Sequence, residues 1–304
     1  MAAMQEASES QRETAADEVL SFAIADRNCR GRTVRLGPVL GTILSAHDYA
    51  PPIKRLLGEA LVLTALMGSL LKDAEDQLTL QAQTQDGIVS LLVCDYRAGE
   101  LRGYVQHDPS RLAELAGEPS LEELFGGGYL AITFDIAASG QRYQGVVPLE
   151  GGSLSHSVQA YFARSEQIPT LIRTAVRVEG GQCTAGGLLV QHLPEGEEGR
   201  ERLHVRQDYP EWEHVAALTG SLRDDELLGT DISPELLVWR LYHEEPEVRV
   251  AWVARIVRGC RCSISHFEDV LSRFPSADRK DMRDENGMIL VDCAFCSRQF
   301  AIQD

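Results

Sequence analysis

The sequence predicts an α+β fold: an antiparallel sheet with packed helices, then a helical acidic linker and a small C-terminal cysteine module. Three observations carry this. Short apolar runs, several with period-two alternation and bounded by glycine or Asp-Gly turns, fill residues 18–194. From Glu195 to Glu247 there are 15 Asp and Glu against five Lys and Arg. Four cysteines come in two tight pairs near the end, Cys260-Arg-Cys262 and Cys293-Ala-Phe-Cys296. The expected division is 1–17 as a disordered tail, 18–194 as the α+β body, 195–247 as the linker and 248–304 as the cysteine module.

Met1 to Asp17 is polar, rich in Ala, Glu and Ser, and has no apolar stretch of the kind that marks a signal peptide. Val19–Ala25 and Thr33–Leu40 read as strands punctuated by Gly31, Gly37 and Gly41. Pro51-Pro52 introduces a long helix, Ile53–Lys72, with apolar residues on so many sides that its role is core packing. Leu78, Leu80 and Ala82 share one face of a strand. Asp86-Gly87 turns the chain, and Ile88–Asp95 returns as a more buried strand. Leu101–Gln106, Tyr129–Asp135 and Gln141–Val147 extend the sheet. Ser120-Leu-Glu-Glu123 has the form of a capping box, with Gly126-Gly127-Gly128 ending its helix. No lysine or helix follows those glycines in phosphate-loop order. Ser153–Glu166 reads as a helix, and Thr174–Arg177 and Gly187–Gln191 as strands.

The acidic segment is written as helices. Pro210-Glu-Trp212 opens one with Val215 and Leu218 on a shared face. Ser221-Leu-Arg-Asp224 has the look of a capping box and opens a second, stopped by Gly229. Ser233-Pro234-Glu235 starts a third that ends near Pro246. Like charges at helical spacing cost a few tenths of a kcal/mol per pair, so these helices are expected to be marginal unless docked on the body.

Composition narrows the function. The net charge of −17 argues against a nucleic-acid binder, which needs clustered Lys and Arg. No apolar run approaches the roughly 18 residues of a membrane span. Without an export signal the expected compartment is the reducing cytoplasm, where stable structural disulfides are not expected. No nucleophile elbow, Walker loop or HExxH motif is present. His47, His107 and His156 read as surface or hydrogen-bonded residues. Cys29, Cys94 and Cys183 stand alone, Cys94 as a small buried hydrophobe.

The paired cysteines carry the chemistry. Two knuckle-like turns brought together make a tetrahedral thiolate site for zinc from Cys260, Cys262, Cys293 and Cys296. The same spacing suits thiol redox chemistry. A Cys260–Cys262 disulfide closes a small strained ring, and strained disulfides are easily reduced. The four sulfurs can therefore bind zinc when reduced and form two local disulfides when oxidised. Other readings are a thiol–disulfide oxidoreductase, a zinc-ribbon nucleic-acid module, or scattered structural cysteines.

Arg142-Tyr-Gln-Gly-Val-Val147 with Leu149-Glu-Gly151, then Tyr161-Phe-Ala-Arg-Ser-Glu-Gln167 with Pro169-Thr170, resembles the core signature of the redox-regulated 33-kDa heat-shock chaperone family. Val238-Trp-Arg-Leu-Tyr-His-Glu-Glu245 resembles the stretch before that family's metal module, and the CxC…CxxC pattern matches its four cysteines. The resemblance implies a non-enzymatic, ATP-independent cytosolic holdase for unfolding proteins. It implies zinc on Cys260, Cys262, Cys293 and Cys296 in an inactive reduced state, and Cys260–Cys262 and Cys293–Cys296 disulfides in an active, homodimeric oxidised state. From the apolar positions of the acidic helices themselves, and not from the resemblance, faces such as Trp212/Val215/Leu218 and Leu236/Leu237/Leu241 are expected to meet clients once the connector undocks. There are two departures. The sequence ends at Asp304 where the family usually continues for a helix, so a less covered module is expected. Ser297 follows the CxxC where glycine or asparagine is more usual.

Overall fold

The computed structural model describes residues 17–193 and 210–303; positions 1–16 of the tail expected at 1–17, and the opening of the acidic segment, lie outside the described residues. Asp17, the last residue of that expected tail, is instead buried and hydrogen-bonded into the body. The helix Pro51–Gly68 buries Leu57, Leu61, Val62, Leu63, Leu66 and Met67, which cover its whole circumference. A helix apolar all round needs apolar partners all round, and a single sheet covers only one side. The expected sheet is accordingly two sheets, with this helix between them.

In chain order the body runs β1 (Glu18–Ile24), β2 (Cys29–Leu36), α1 (Pro38–Leu44), α2 (Pro51–Gly68), β3 (Gln77–Gln83), β4 (Val89–Arg97) and β5 (Glu100–His107). It continues through α3 (Pro109–Ala113), α4 (Leu121–Phe125), β6 (Tyr129–Ile136), β7 (Gln141–Pro148), α5 (Leu154–Tyr161), β8 (Thr170–Glu179) and β9 (Gln182–His192). The acidic segment supplies α6 (Pro210–Gly220), α7 (Asp224–Leu228) and α8 (Pro234–Tyr242). Then come β10 (Val248–Arg255), β11 (Val257–Arg258), α9 (Ile264–Leu271), α10 (Ser276–Asp281), β12 (Met288–Asp292) and β13 (Gln299–Gln303).

One sheet has the order β10-β1-β2-β9-β8 and is antiparallel throughout. The other has the order β11-β5-β4-β3-β6-β7, antiparallel except for β11 beside β5. Helix α2 approaches both closely through glycine. A Cβ at Gly187 on β9 would collide with Val62, and one at Gly103 on β5 would press on Cys94, Leu61 and Leu57. β12 and β13 form a separate hairpin.

Most local signals hold. Ser120 and Glu123 exchange both bonds of the capping box, and Ser233 Oγ accepts from Leu236 N–H at 3.2 Å. Three readings change. The strand expected to reach Leu40 stops at Leu36, because Pro38 starts α1 and the Asp17 carboxylate accepts from Gly37 and Val39 N–H, both at 2.9 Å. That cap comes from 20 residues upstream and has no local signature. The helix at Ser153 gives way to a π turn over Phe162–Glu166. Ser221 does not cap α7; its hydroxyl donates to Leu218 O at 2.7 Å, and Glu226 accepts from Arg223 N–H at 3.1 Å instead.

The acidic helices are docked. Val215, Leu222, Leu227, Leu228, Leu237, Val238 and Tyr242 share a buried cluster with Leu20, Phe22, Ile24, Leu188 and Val190 of the five-stranded sheet. Basic residues of the body meet backbone carbonyls of this segment: Arg35 Nε donates to Leu227 O at 2.9 Å and Arg173 Nη2 to Leu222 O at 3.0 Å. Glu245, its side chain only 2% exposed, accepts from Arg27 Nε at 2.8 Å and pairs with His214 Nε2 at 3.0 Å. Burial of the apolar faces, at about 25 cal/mol per Å², outweighs the charge crowding that the sequence shows. Val248–Arg255, placed by the sequence at the start of the cysteine module, hydrogen-bonds to β1 as the edge strand of this sheet.

Candidate metal centre

Cys260 and Cys262 lie in the link from β11 to α9, and Cys293 and Cys296 in the turn from β12 to β13. The first link is anchored by the sheet: Gly259 N–H donates to Leu101 O at 3.0 Å, extending the pairing of β11 with β5. Ser263 then caps α9 by accepting from His266 N–H at 3.1 Å. In the second turn Cys293 O accepts from Cys296 N–H at 3.2 Å and Ser297 N–H at 2.8 Å, while Cys293 N–H donates to Arg298 O at 3.0 Å. Ser297 has φ of 54°, in the left-handed region. Glycine and asparagine enter that region most easily, which accounts for their being the expected residues there; here serine adopts it.

These turns bring all four expected cysteines together. Their sulfurs lie within 4.8 Å of one another, with Cys260–Cys262 at 3.2 Å, Cys260–Cys293 at 3.6 Å and Cys262–Cys296 at 3.6 Å. Four sulfurs about 2.3 Å from a shared ion stand about 3.8 Å apart, so the cluster fits a tetrahedral metal. All seven cysteines are free thiols, and Cys29, Cys94 and Cys183 are buried in the body. Burial pushes the Cys94 thiol well above its ordinary value and Cys29 up to about 12, which keeps both unreactive. In the cluster burial raises Cys293 and Cys262. At Cys296 burial is outweighed by the Arg298 N–H and the neighbouring thiols as donors, and the thiol is pushed down to about 7. The arrangement already favours a thiolate among hydrogen-bond donors.

The module has little else to hold it. Its buried cluster is Leu271, Ile289, Cys293, Phe300 and Ile302, with Phe267, Val291 and Phe295 against it. A core of that size does not sustain a fold without a metal or crosslinks. Neither cysteine of the second pair opens a helix, the setting that activates the thiol of a dithiol oxidoreductase.

The body contributes residues that the sequence did not single out. Arg261, between the first two cysteines, donates to Gln77 Oε1 at 2.8 Å and lies 3.9 Å from Asp95 Oδ2. Phe295, between the second two, packs edge-on to Tyr104 at 5.0 Å and under the Arg102 guanidinium at 4.0 Å. Arg102 itself grips Asp95 Oδ2 through Nε at 2.8 Å and Nη2 at 2.6 Å. Ser297 Oγ meets His47 Nδ1 at 3.1 Å, and the His47 ring stacks on Tyr49 at 4.9 Å. The one sequence trace of this seat is a charged residue, Asp95, directly after the apolar run Leu91–Cys94.

Comparison with known proteins agrees with this architecture. A family profile described as "Hsp33 protein" matches residues 17–303. The chain is 39% identical over 294 residues to the "33 kDa chaperonin" of Caulobacter vibrioides (strain NA1000 / CB15N), covering 94% of each. It is 32% identical over 285 residues to that of Yersinia pestis (strain Pestoides F), covering 93% of this chain and 91% of the relative. The crystal structure of the 33 kDa chaperonin from Thermotoga maritima shares the fold, with a TM-score of 0.75 at 22% identity over 94% of this chain and 95% of that one. With two knuckles of cysteine set on an α+β body and a match running nearly end to end, this chain belongs to the Hsp33 family.

Proposed function

We propose that this protein is a redox-regulated, ATP-independent holdase of the cytoplasm that binds unfolding proteins under oxidative stress. The observation that carries the reading is the double seat: the residues inside both cysteine pairs, Arg261 and Phe295, rest on the same Asp95–Arg102 pair of the body. The geometry of the sulfurs and the docking of the module therefore stand or fall together. Family membership and the "33 kDa chaperonin" relatives support it further.

In this reading Cys260, Cys262, Cys293 and Cys296 hold one zinc ion in the reduced, inactive state. Zinc bound there would supply folding energy on the order of 10 kcal/mol to the small module. Oxidation joins Cys260 to Cys262 and Cys293 to Cys296, and sulfurs bonded in pairs no longer form a thiolate set. The turns then lose the conformation that seats Arg261 and Phe295. β10 carries the change onward, because it runs through Ile256 into β11 at one end and lies beside β1 along its length. Leu20, Phe22 and Ile24 of β1 form the floor under α6 to α8. Release of these helices bares that floor and their own faces to clients: Trp212/Val215/Leu218, and Leu237/Val238/Leu241 in place of the expected Leu236/Leu237/Leu241, because Leu236 already faces solvent in the docked helix. The active form is a homodimer. The acidic segment 195–247 acts as the linker between the body (18–194) and the redox module (248–304), with β10 staying in the body's sheet.

The test is client aggregation with zinc and free thiols counted in parallel. Oxidised protein should suppress aggregation of an unfolding client, and reduced, zinc-loaded protein should not. Equal activity in both states would remove the switch.

A further inference from the structure

The thiol cluster has two unlike sides. Toward the core of its module it is closed, with Cys293 only 5% exposed. On the other side lies a cavity of about 450 Å³ lined by Cys260, Cys262, Cys296, Arg258 and Arg298. Its walls are three sulfur-bearing residues and two guanidinium-bearing ones, with no carboxylate among them.

Those two arginines stand at the mouth of the cavity. The net charge is −17, and among the described residues most arginines of the body and the acidic helices sit in ion pairs. Neither Arg258 nor Arg298 forms an ion pair among the described residues. Arg298 lies with its guanidinium carbon 5.0 Å from the Phe300 ring centroid, which holds its stem along β13. Arg258 ends β11, and the next residue, Gly259, is bonded to Leu101 O. Arg261 is turned the other way, to Gln77 and Asp95. Two cations with no ion-pair partner among the described residues thus stand beside the opening that leads to the sulfurs, the nearest carboxylate side chain on the paired strand β5 being Glu100, against Gly259. A cleft lined by one sign of charge concentrates small ions of the other sign.

We infer that Arg258 and Arg298 make this cavity an admission site for small oxidants that carry negative charge, of the peroxy-anion class, and that it directs them to Cys260, Cys262 or Cys296 ahead of Cys293. The inference rests on the switch proposed above and concerns the route by which a charged oxidant reaches its sulfurs. With peroxymonosulfate as the probe the chemistry balances. A cysteine thiolate attacks the terminal peroxide oxygen of the HSO5⁻ ion, the O–O bond breaks, and sulfenic acid and sulfate form. The thiol of the pair partner then attacks the sulfenic sulfur, giving the disulfide and water. The guanidinium groups hold the sulfonate end of the oxidant while the sulfur is attacking the other end.

The experiment compares wild type with the Arg258→Gln/Arg298→Gln protein, both reduced and zinc-loaded. Thiol loss and zinc release are followed under peroxymonosulfate and, separately, under hydrogen peroxide, which is uncharged at neutral pH. The double variant should react about fivefold to tenfold more slowly with the anion and within twofold of wild type with hydrogen peroxide. About 0.5 M salt should erase the difference in wild type by screening. The Arg258→Lys/Arg298→Lys protein should keep most of the anion rate. Early trapping with a sulfenic-acid reagent should mark Cys260, Cys262 or Cys296. Equal slowing with both oxidants would show that the arginines merely steady the sulfur cluster, and no slowing, or first trapping at Cys293, would equally overturn the inference. Wild type that reacts as expected but never binds client would refute the switch and leave the admission site standing.

Discussion

The Phe295 ring, in the turn between Cys293 and Cys296, lies 4.0 Å from the Arg102 guanidinium carbon on β5. Arg102 is in turn fixed by two bonds to Asp95, a carboxylate whose side chain is 5% exposed. A ring inside one knuckle is thus clamped by a charged pair rigidly built into the body. Arg102→Ala removes a cation–π contact worth about 1 kcal/mol and takes from buried Asp95 its main partner, at a cost of roughly 1–3 kcal/mol. The module should undock more readily, with amide exchange at Val257 and Gly259, which donate to Gly99 and Leu101 carbonyls, accelerated about fivefold or more. Unchanged protection at those two amides would show that the seat carries no energy.

Glu245 is the corresponding fixture for the acidic helices. Its buried carboxylate ties Arg27 of the body to His214 of α6. Glu245→Gln keeps the shape and removes the charge, and should weaken docking of the acidic helices by about 1–3 kcal/mol. Protease cleavage within α6 to α8 should speed up while the cysteine module keeps its zinc. Cleavage at the wild-type rate would place the anchoring in the apolar cluster alone.

The cysteine pairs make a sharper test. Cys260→Ser with Cys262→Ser leaves two sulfurs of the four, and tight zinc binding should disappear along with the fold of the β12–β13 hairpin. Zinc bound at one per chain in that variant would mean that the ligands are wrongly assigned.

A pH effect follows from His47. Burial pushes its imidazole below the ordinary 6.5, so the docked form holds it neutral, with Nδ1 at Ser297 Oγ. The undocked or unfolded form binds the proton more readily, so stability rises with pH across this window. The contribution is complete above about 6.5 and is lost as pH falls through the lowered docked value. Nuclear magnetic resonance titration of the His47 ring should give a midpoint under 6.5, moving up in His47-containing protein when Phe295→Ala loosens the turn. A midpoint at or above 6.5 in the intact protein would contradict the burial argument.

Much of the body is legible in one dimension. The alternation of Leu78, Leu80 and Ala82 gave the buried face of β3, and Ser233-Pro234 gave the start of α8, because pleat and cap are short-range geometry. The end of β2 at Leu36 was missed because Asp17 caps α1 from a distance. The acidic helices looked weak because charge repulsion is written locally, while the floor that holds them belongs to β1 and β9.

The sequence alone determined which residues carry the chemistry: two cysteine pairs at short spacing close into knuckles by local backbone geometry, while their mutual approach was left open. Tertiary structure decided what those knuckles touch. Asp95, Arg102 and Tyr104 are ordinary strand residues until β4 and β5 lie side by side. The link from β11 to α9 then brings Arg261 against them, and the hairpin turn brings Phe295. Contacts between residues 166 and 193 positions apart are fixed by packing of the whole chain, and no local pattern records them.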